Sequence, residues 1–239
     1  RLTAASLHPS GPLLRAICSL GVSPFLNQMA MFLVQITLNN TLTYYGALSH
    51  YGEDIPLACV GVISKVNILM LGFTLGISQG CQPIFSYNYG ARNPERVRRA
   101  FQVLLMACLA YSLLLWALVQ LFPQLFALMF TSDSELVSYA SWALRIYMAA
   151  TGIFGIQIAC QQTFVALGNA KISLFLAVLR KIILLIPFIY ILPNFFADKA
   201  FAVFLAEPVA DFLAVCTTAT MFAVHFKKSM TALEGKPGV

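Results

Sequence analysis

The sequence predicts an all-α polytopic membrane protein with six transmembrane helices. Hydrophobic residues make up 59% of its 239 residues and charged residues only 10%, whereas a soluble domain is about half apolar and about a quarter charged. Apolar runs long enough to cross a bilayer, about 20 residues each, recur six times along the chain. Lipid cannot satisfy backbone N–H and C=O groups, so such runs must form helices or part of a closed barrel.

The predicted elements follow from where these apolar runs begin and end. A short lead segment, residues 1–14, precedes a transmembrane lobe of residues 15–228, and a tail of residues 229–239 follows it. Both the lead and the tail are expected on the cytoplasmic side. The six predicted helices cover about residues 15–45, 56–89, 95–121, 133–167, 171–192 and 199–226.

A tight turn is predicted between the second and third helices. Pro83 removes a helical hydrogen bond and should kink the second helix. Gly90 is the residue expected to adopt a left-handed conformation at the end of that helix. Asn93 offers an N-cap and Pro94 suits the first helical position, so the third helix should start at once.

Local signals also delimit the later helices. Pro123 breaks the third apolar run, and the aromatic residues after it predict a short interfacial helix over 122–130. Ser132 with Glu135 three residues later forms a capping-box pattern, which places the start of the fourth helix near 133. The remaining stops are Gly168-Asn169, Pro193-Asn194 and Lys227-Lys228.

The charged residues at the helix ends predict the orientation of the chain. Basic residues mark the cytoplasmic side of a membrane protein, and an even number of spans puts both chain ends there. The basic set is Arg15, Arg92, Arg96, Arg98, Arg99, Lys171, Lys227 and Lys228. The opposite ends carry Glu53, Asp54, Asp133, Glu135 and Asp198, beside a single basic residue, Lys199.

Four ionisable residues fall near the middle of predicted helices. Burying a charge at that depth costs free energy, so such residues are candidates for a functional role. At 1.5 Å per residue, Lys65 and Arg180 lie roughly 12–15 Å from a helix end. Glu207 and Asp211 reach a similar depth, and their spacing of four puts them on one helix face. Two interpretations stay open: an ion- or proton-responsive switch, or a structural ion-pair network joining the second, fifth and sixth helices.

The neighbours of these charges refine the interpretation. Lys181 lies about 100° further round an α-helix than Arg180, so the two are not expected to face one cluster. Glu207 precedes Pro208, whose missing N–H leaves a helical carbonyl free. That feature favours a functional role for Glu207.

Side-chain amides supply candidate residues for a substrate cavity. Gln28, Gln35 and Asn39 form a stripe on one face of the first helix. Gln157 and Gln161 lie four residues apart on the fourth helix. Amides within a bundle either join helices by hydrogen bonds or line a water-filled cavity that accepts polar or cationic ligands, and both possibilities stay open.

A twelve-residue run across the predicted turn resembles the hallmark of the multidrug and toxic compound extrusion (MATE) transporters. It lies at the matching place, the first helix pair of the family's second lobe. Weaker similarities occur at 167–171, 179–187 and 207–211, so the resemblance covers about residues 15–228. The hallmark residues matched are Gln82, Pro83, Ile84, Tyr87, Asn88, Tyr89, Gly90, Ala91, Arg92 and Asn93, ahead of Arg96.

The resemblance implies one six-helix lobe of a two-lobe antiporter. Such a transporter expels small organic cations in exchange for H⁺ or Na⁺ as one lobe rocks against the other. The N-terminal six-helix lobe would be the partner that this chain lacks, and membrane lipid would surround both. The implied location is a plasma membrane, the bacterial inner membrane in particular. No cofactor and no metal site are expected, and the choice between H⁺ and Na⁺ stays open.

The sequence departs from some members of the family at the places where they carry acids. Those members have a glutamate in the first helix of this lobe and an aspartate in the fourth. Here the first helix has no acid, and Gln157 stands near the second place. The coupling residues of those members therefore do not carry over to this chain.

Other functions fit the sequence less well. A related lipid-linked oligosaccharide flippase shares the helical plan but is not expected to carry the hallmark. A non-catalytic membrane subunit would not explain charges at mid-bilayer depth. An intramembrane enzyme needs a nucleophile–base pair or a metal set, and the scattered cysteines and histidines supply neither. The net charge of +6 lies in the turns rather than in a basic groove, so no nucleic-acid partner is expected.

Overall fold

The predicted all-α class is confirmed by the computed structural model, which describes residues 11–48, 52 and 54–234. Helices account for nearly all of this described part, and none of its residues forms a strand. The predictions made for residues 1–10, for Glu53 and for residues 235–239 lie outside it. The side chain of Arg15 also lies outside the description.

Nine α-helices and two irregular helical segments follow one another along the described residues. From α2 to α9, successive helical elements are separated by only a few residues at most. The α-helices are α1 (Gly11–Ala47), α2 (Asp54–Gly90), α3 (Pro94–Leu121), α4 (Pro123–Leu128), α5 (Ser134–Tyr147), α6 (Thr151–Ala166), α7 (Ala170–Val178), α8 (Ile186–Ile191) and α9 (Lys199–Glu234). A π-helical segment, Leu179–Leu185, links α7 to α8, and a 3₁₀ turn, Leu192–Asn194, follows α8.

The turn between α2 and α3 differs from the prediction at one residue. Asn93 caps α3 by accepting a hydrogen bond from the Arg96 backbone N–H, and Pro94 occupies the first turn, as predicted. Gly90 remains part of α2. The left-handed residue is Arg92, with φ of 53°, because the chain reverses two residues later than a glycine cap would require.

A break divides the fourth predicted span into α5 and α6. These two helices meet at an angle of 53° across residues 148–150. Trp116 of α3 donates a hydrogen bond of 2.9 Å to the carbonyl of Ala149 inside the break. The cap of α5 is Asp133 rather than Ser132, since the Asp133 carboxylate accepts from the backbone N–H of Glu135.

The last two predicted spans also contain features that the apolar pattern did not predict. The fifth is α-helical only at its two ends, because the π segment takes up its middle. The backbone N–H of Ile186 bonds to the carbonyl of Lys181, the five-residue spacing of a π-helix. The sixth continues to Glu234, eight residues beyond the predicted end at 226.

Helix α6 lies at the centre of the bundle, where it packs against α2, α3 and α9. Gly155 sets how closely α3 approaches it. A Cβ at this position would lie 2.5 Å from the carbonyl oxygen of Cys108 and 2.7 Å from Ser112 Oγ. Small residues at such contacts are typical of membrane helices, whose association depends on close packing.

The number of membrane spans is close to the six predicted. Helices α2, α3 and α9, and the continuous helical stretch Lys171–Asn194, are each long and apolar enough to cross a bilayer, and the bent pair of α5 and α6 makes a fifth. Helix α1 has 37 residues, which is about 55 Å and ample for a span. With α1 the count reaches six, which is approximate.

Candidate functional site

Helix α9 supplies both acids of the candidate site. Glu207 and Asp211 lie one helical turn apart on the buried face, with only 3% and 6% of their surfaces exposed. Carboxylates this deeply buried require compensating partners, because removing a charge from water is expensive. The partners come from the π segment that packs against α9.

The π segment places two basic side chains against these acids. Arg180 Nε donates a hydrogen bond to Asp211 Oδ1, and Arg180 Nη2 lies 3.0 Å from Glu207 Oε1. Lys181 Nζ reaches the same Glu207 oxygen at 3.4 Å. The described structure therefore contains a buried network of two cations and two carboxylates. We call Arg180, Lys181, Glu207 and Asp211 the charge network.

The expectation that Lys181 points away from Arg180 is wrong. It rested on the rotation of about 100° between neighbours in a regular α-helix. The turn is widened here into a π-helix, and both side chains are long enough to converge on one oxygen from adjacent positions. π-Helical turns are rare and often occur at functional sites.

The break between α5 and α6 places further groups beside the charge network. The Phe154 ring lies under the Arg180 guanidinium, 4.3 Å from ring centroid to Cζ, a favourable cation–π arrangement. The Tyr147 side chain interacts with Glu207. Together with Asn67 and Thr151, these residues border a cavity of about 10 Å³ against Arg180, Glu207 and Asp211. Such a volume has room for about one water molecule.

Lys65 does not join the charge network, although the sequence predicts it at a similar depth. Its side chain is exposed, and its Nζ lies 5.7 Å from the centroid of the Phe130 ring. Counting residues along α2 gives the depth of Lys65 but not the direction in which its side chain points. The predicted cluster of four charges therefore forms with Lys181 in the place of Lys65.

The candidate cavity amides fall into two separate environments. On α1, Gln28 and Gln35 are exposed and Asn39 is half-buried, and Gln35 donates a hydrogen bond of 3.0 Å to Asn39. On α6, Gln161 bonds the Ser173 carbonyl at 3.1 Å. Gln157 is only 1% exposed, and its Oε1 has no hydrogen-bond partner among the described residues.

The hallmark residues join the ends of α2, α3 and α6. Gln82 donates to Gln162 at 2.6 Å, and Ser86 donates to the Ala166 carbonyl at 2.9 Å. Asn88 is buried and bonds the Ile84 carbonyl within α2, while Asn93 caps α3. Of the other hallmark residues, Tyr89 is half-buried, and the exposed ones are Pro83, Ile84, Tyr87, Gly90, Ala91 and Arg92.

Sequence reasoning missed Lys181 and the groups that border the cavity. One available signal was charge balance. Arg180 and Lys181 are adjacent basic residues within one apolar run, where each charge needs an acid beside it, and Glu207 and Asp211 are two such acids. The contributions of Tyr147 and Thr151 depend on the helix break, which no proline or glycine at 148–150 signals, and that of Asn67 depends on how α2 packs in the bundle.

Comparisons with known proteins agree with this architecture. The chain is 22% identical over 230 residues to the multidrug export protein MepA of Staphylococcus aureus, which covers 95% of the chain and 47% of that protein. It is 24% identical over 166 residues to a FAD transporter of Shewanella oneidensis, which covers 70% of the chain and 36% of that protein. The chain thus spans half or less of the length of these curated relatives.

Solved structures show the same fold. A crystal structure of a MATE protein in the bent conformation superposes with a TM-score of 0.83 at 18% identity, over 98% of this chain and 50% of that one. A transporter of the MOP superfamily from Pyrococcus furiosus superposes with a TM-score of 0.81, also at 18% identity and over half of its length. The MatE family model matches residues 28–191. On that match the chain belongs to the MatE family of transporters, and the prediction that it is not an enzyme is confirmed.

Proposed function

We propose that this chain is one six-helix lobe of a secondary active antiporter that exports organic cations in exchange for H⁺ or Na⁺. The second lobe would precede it in the same plasma-membrane protein, with both ends of this chain cytoplasmic. The lengths of the relatives support this arrangement, since the chain matches 47% of the MepA protein and half of the solved MATE chains. Export of drugs is what the name of MepA states, and for this chain it is part of the proposal.

The observation that carries the proposal is the charge network inside a membrane-spanning bundle. Burying four charges is a costly way to join two helices, because an apolar contact of the same volume is often as stable or more stable. A function that depends on charge gives a reason to keep them. Glu207 is the central member, since Arg180, Lys181 and Tyr147 all interact with it.

The position of the network suggests how it responds to ions. The network lies where α9, the π segment and the break between α5 and α6 meet. Broken helices and irregular turns are the parts of transporters that bind ions and change shape. If H⁺ or Na⁺ neutralises Glu207, the attraction of Arg180 and Lys181 weakens, and the π segment is released from α9. The proposed response is therefore a change in packing between these elements.

The exposed amide stripe on α1 supports the proposal that the transporter has a polar substrate path. Gln28 and Gln35 are exposed on a helix that otherwise presents large apolar side chains such as Phe25 and Phe32. We propose that this polar face turns towards the second lobe and lines the substrate path. Gln161 instead joins α6 to α7 through the Ser173 carbonyl, and Gln157 is buried within the bundle.

The test is efflux of a cationic dye from proteoliposomes that contain the full-length protein. A pH gradient and a Na⁺ gradient are imposed separately, and FAD serves as an anionic comparison substrate. Wild-type protein is expected to export the dye when at least one of the two ion gradients is imposed to drive the exchange. Glu207→Gln, which keeps shape while it removes charge, should lose that gradient dependence. Glu95→Gln changes an exposed acid on α3 and is the matched control. Unchanged gradient dependence in Glu207→Gln would contradict the role proposed for Glu207.

A further inference from the structure

Lys181 is the most weakly held member of the charge network. Its ammonium has three hydrogen-bond donors, yet among the described residues its one acceptor is Glu207 Oε1, at 3.4 Å. Arg180, in contrast, bonds both carboxylates and stacks on Phe154. Lys181 is nevertheless 93% buried, since only 7% of its surface is exposed. A buried ammonium with one long hydrogen bond indicates a charge kept for electrostatic balance rather than for bonding.

The charge balance of the network depends on Lys181. Arg180 and Lys181 are positive, Glu207 and Asp211 are negative, and the four sum to zero. Tyr147 of α5 also faces the network. Helices α1, α7 and α8 pack against the π segment as well. Their described side chains include no Asp, Glu, Arg or His, their one Lys, Lys171, is exposed, and their tyrosines are Tyr44, Tyr45 and Tyr190. Removing the charge of Lys181 would leave one uncompensated buried carboxylate, which must then bind a proton or another cation.

Space and ligands for that cation lie beside Glu207. The cavity of about 10 Å³ touches both carboxylates and is bordered by the oxygen-bearing side chains of Asn67, Tyr147 and Thr151. Oxygen atoms are the ligands that hard cations prefer, and the volume suits one small ion or one water molecule. With Lys181 and Arg180 both charged, however, two cations already neutralise the two acids, so a third cation is repelled.

We propose that the Lys181 ammonium is a built-in counter-cation of Glu207, which takes the electrostatic place that a proton or a small monovalent cation such as Na⁺ fills when Lys181 withdraws. Its place in a transport cycle rests on the function proposed above. The competition between Lys181 and a cation does not, because it is a property of the buried network alone.

The competition predicts that removal of the lysine charge creates a dependence on ions. The full-length protein in lipid nanodiscs is unfolded by heat in Na⁺ or in choline at equal ionic strength, and at mildly alkaline and mildly acidic pH. The unfolding midpoint of Lys181→Met should rise by about 5 °C or more in Na⁺ or in acid relative to choline at alkaline pH. The wild-type midpoint, measured in parallel, is subtracted to remove effects of ions elsewhere in the protein.

Three further variants identify the cause. Lys181→Met combined with Glu207→Gln restores balance, so its midpoint should not depend on Na⁺ or pH beyond the wild type. Lys181→Arg keeps the charge and should behave in the same way. Lys171→Met removes an exposed lysine from the start of α7 and should gain no dependence. If Lys181→Met unfolds in choline, its recovery by Na⁺, by acid or by Glu207→Gln supports the proposal equally.

Two results would overturn the proposal. One is a folded Lys181→Met protein whose midpoint responds to Na⁺ and pH no more than the wild type does. The other is a misfolded Lys181→Met protein that neither Na⁺, acid nor Glu207→Gln restores, because the role of the lysine would then be packing. Failure of dye efflux in the wild type would contradict the proposed antiport alone, since the unfolding measurements involve no transport.

Discussion

Gln82 of α2 donates a hydrogen bond of 2.6 Å to Gln162 of α6. This bond ties the hallmark run to the central helix of the bundle. The Ser86 hydroxyl makes a second link one turn later, to the Ala166 carbonyl. The hallmark therefore holds two helices together as well as closing the turn between α2 and α3.

We expect Gln82→Ala to lower the free energy of unfolding by about 1 kcal/mol, the usual contribution of one such hydrogen bond. The measurement is thermal unfolding in nanodiscs. Gln79→Ala, at an exposed position one turn earlier on the same helix, is the control and should have little effect. A double-mutant cycle with Gln162→Ala should show coupling between the two amides, and strictly additive effects would argue against the link.

Gly155 should tolerate no larger residue. The Cβ of Gly155→Ala would lie 2.5 Å from the Cys108 carbonyl oxygen, so α3 and α6 must separate, and overpacking of this kind destabilises by about 1–3 kcal/mol. Gly76→Ala is the matched control, because a Cβ there meets no atom within 4 Å. In a thermal unfolding assay the first variant should melt earlier than the wild type and the second should not. Equal midpoints for the two variants would contradict the close approach of these helices.

The left-handed conformation of Arg92, φ 53°, predicts opposite outcomes for two substitutions. Asparagine accepts this conformation more readily than most residues, whereas a β-branched side chain does not. Arg92→Val should therefore lower the unfolding midpoint relative to Arg92→Asn, and both variants lose the same charge. We expect a difference of about 1–2 kcal/mol in unfolding free energy. A Val variant as stable as the Asn variant would indicate that the turn relaxes to another conformation.

The helices of this fold could be predicted because long apolar runs in a membrane have few alternatives to a helix. The irregular parts of these helices, a bend and a π-helical segment, could not be predicted. The bend between α5 and α6 has no proline or glycine within it, and the π segment forms where the chain packs against α9. Both depend on tertiary contacts that a single apolar pattern does not contain.

The candidate site could likewise be predicted only in part. The depth of Arg180, Glu207 and Asp211 could be counted along their helices, and the structure brings these three together. The depth of a residue along a helix does not show which way its side chain points. The sequence therefore predicts Lys65 as a member of the charged cluster and leaves Lys181 out, whereas the structure places Lys181 in the charge network and Lys65 outside it. The amides illustrate the same point, since Gln35 is exposed whereas Gln157 is buried.

The pair formed by Arg180 and Asp211 separates a structural role from a functional one. Arg180→Ala leaves two carboxylates with only Lys181 to balance them, and breaking a buried pair in this way destabilises by about 3–5 kcal/mol. The double substitution Arg180→Met, Asp211→Leu removes one charge of each sign. Lys181 and Glu207 then remain as a balanced pair, 3.4 Å apart, so the double variant should recover most of the stability that Arg180→Ala loses.

Transport by the double variant then decides between the two roles. If Arg180 and Asp211 only join the π segment to α9, dye efflux should recover together with stability, and its dependence on the pH or Na⁺ gradient should match the wild type. We expect this outcome, because Asp211 interacts chiefly with Arg180 whereas Glu207 also contacts Lys181. A double variant that folds as well as the wild type but exports slowly, or loses its gradient dependence, would assign Asp211 a direct part in coupling. Unfolding and efflux must be measured on the same preparations, since only that comparison separates loss of fold from loss of coupling.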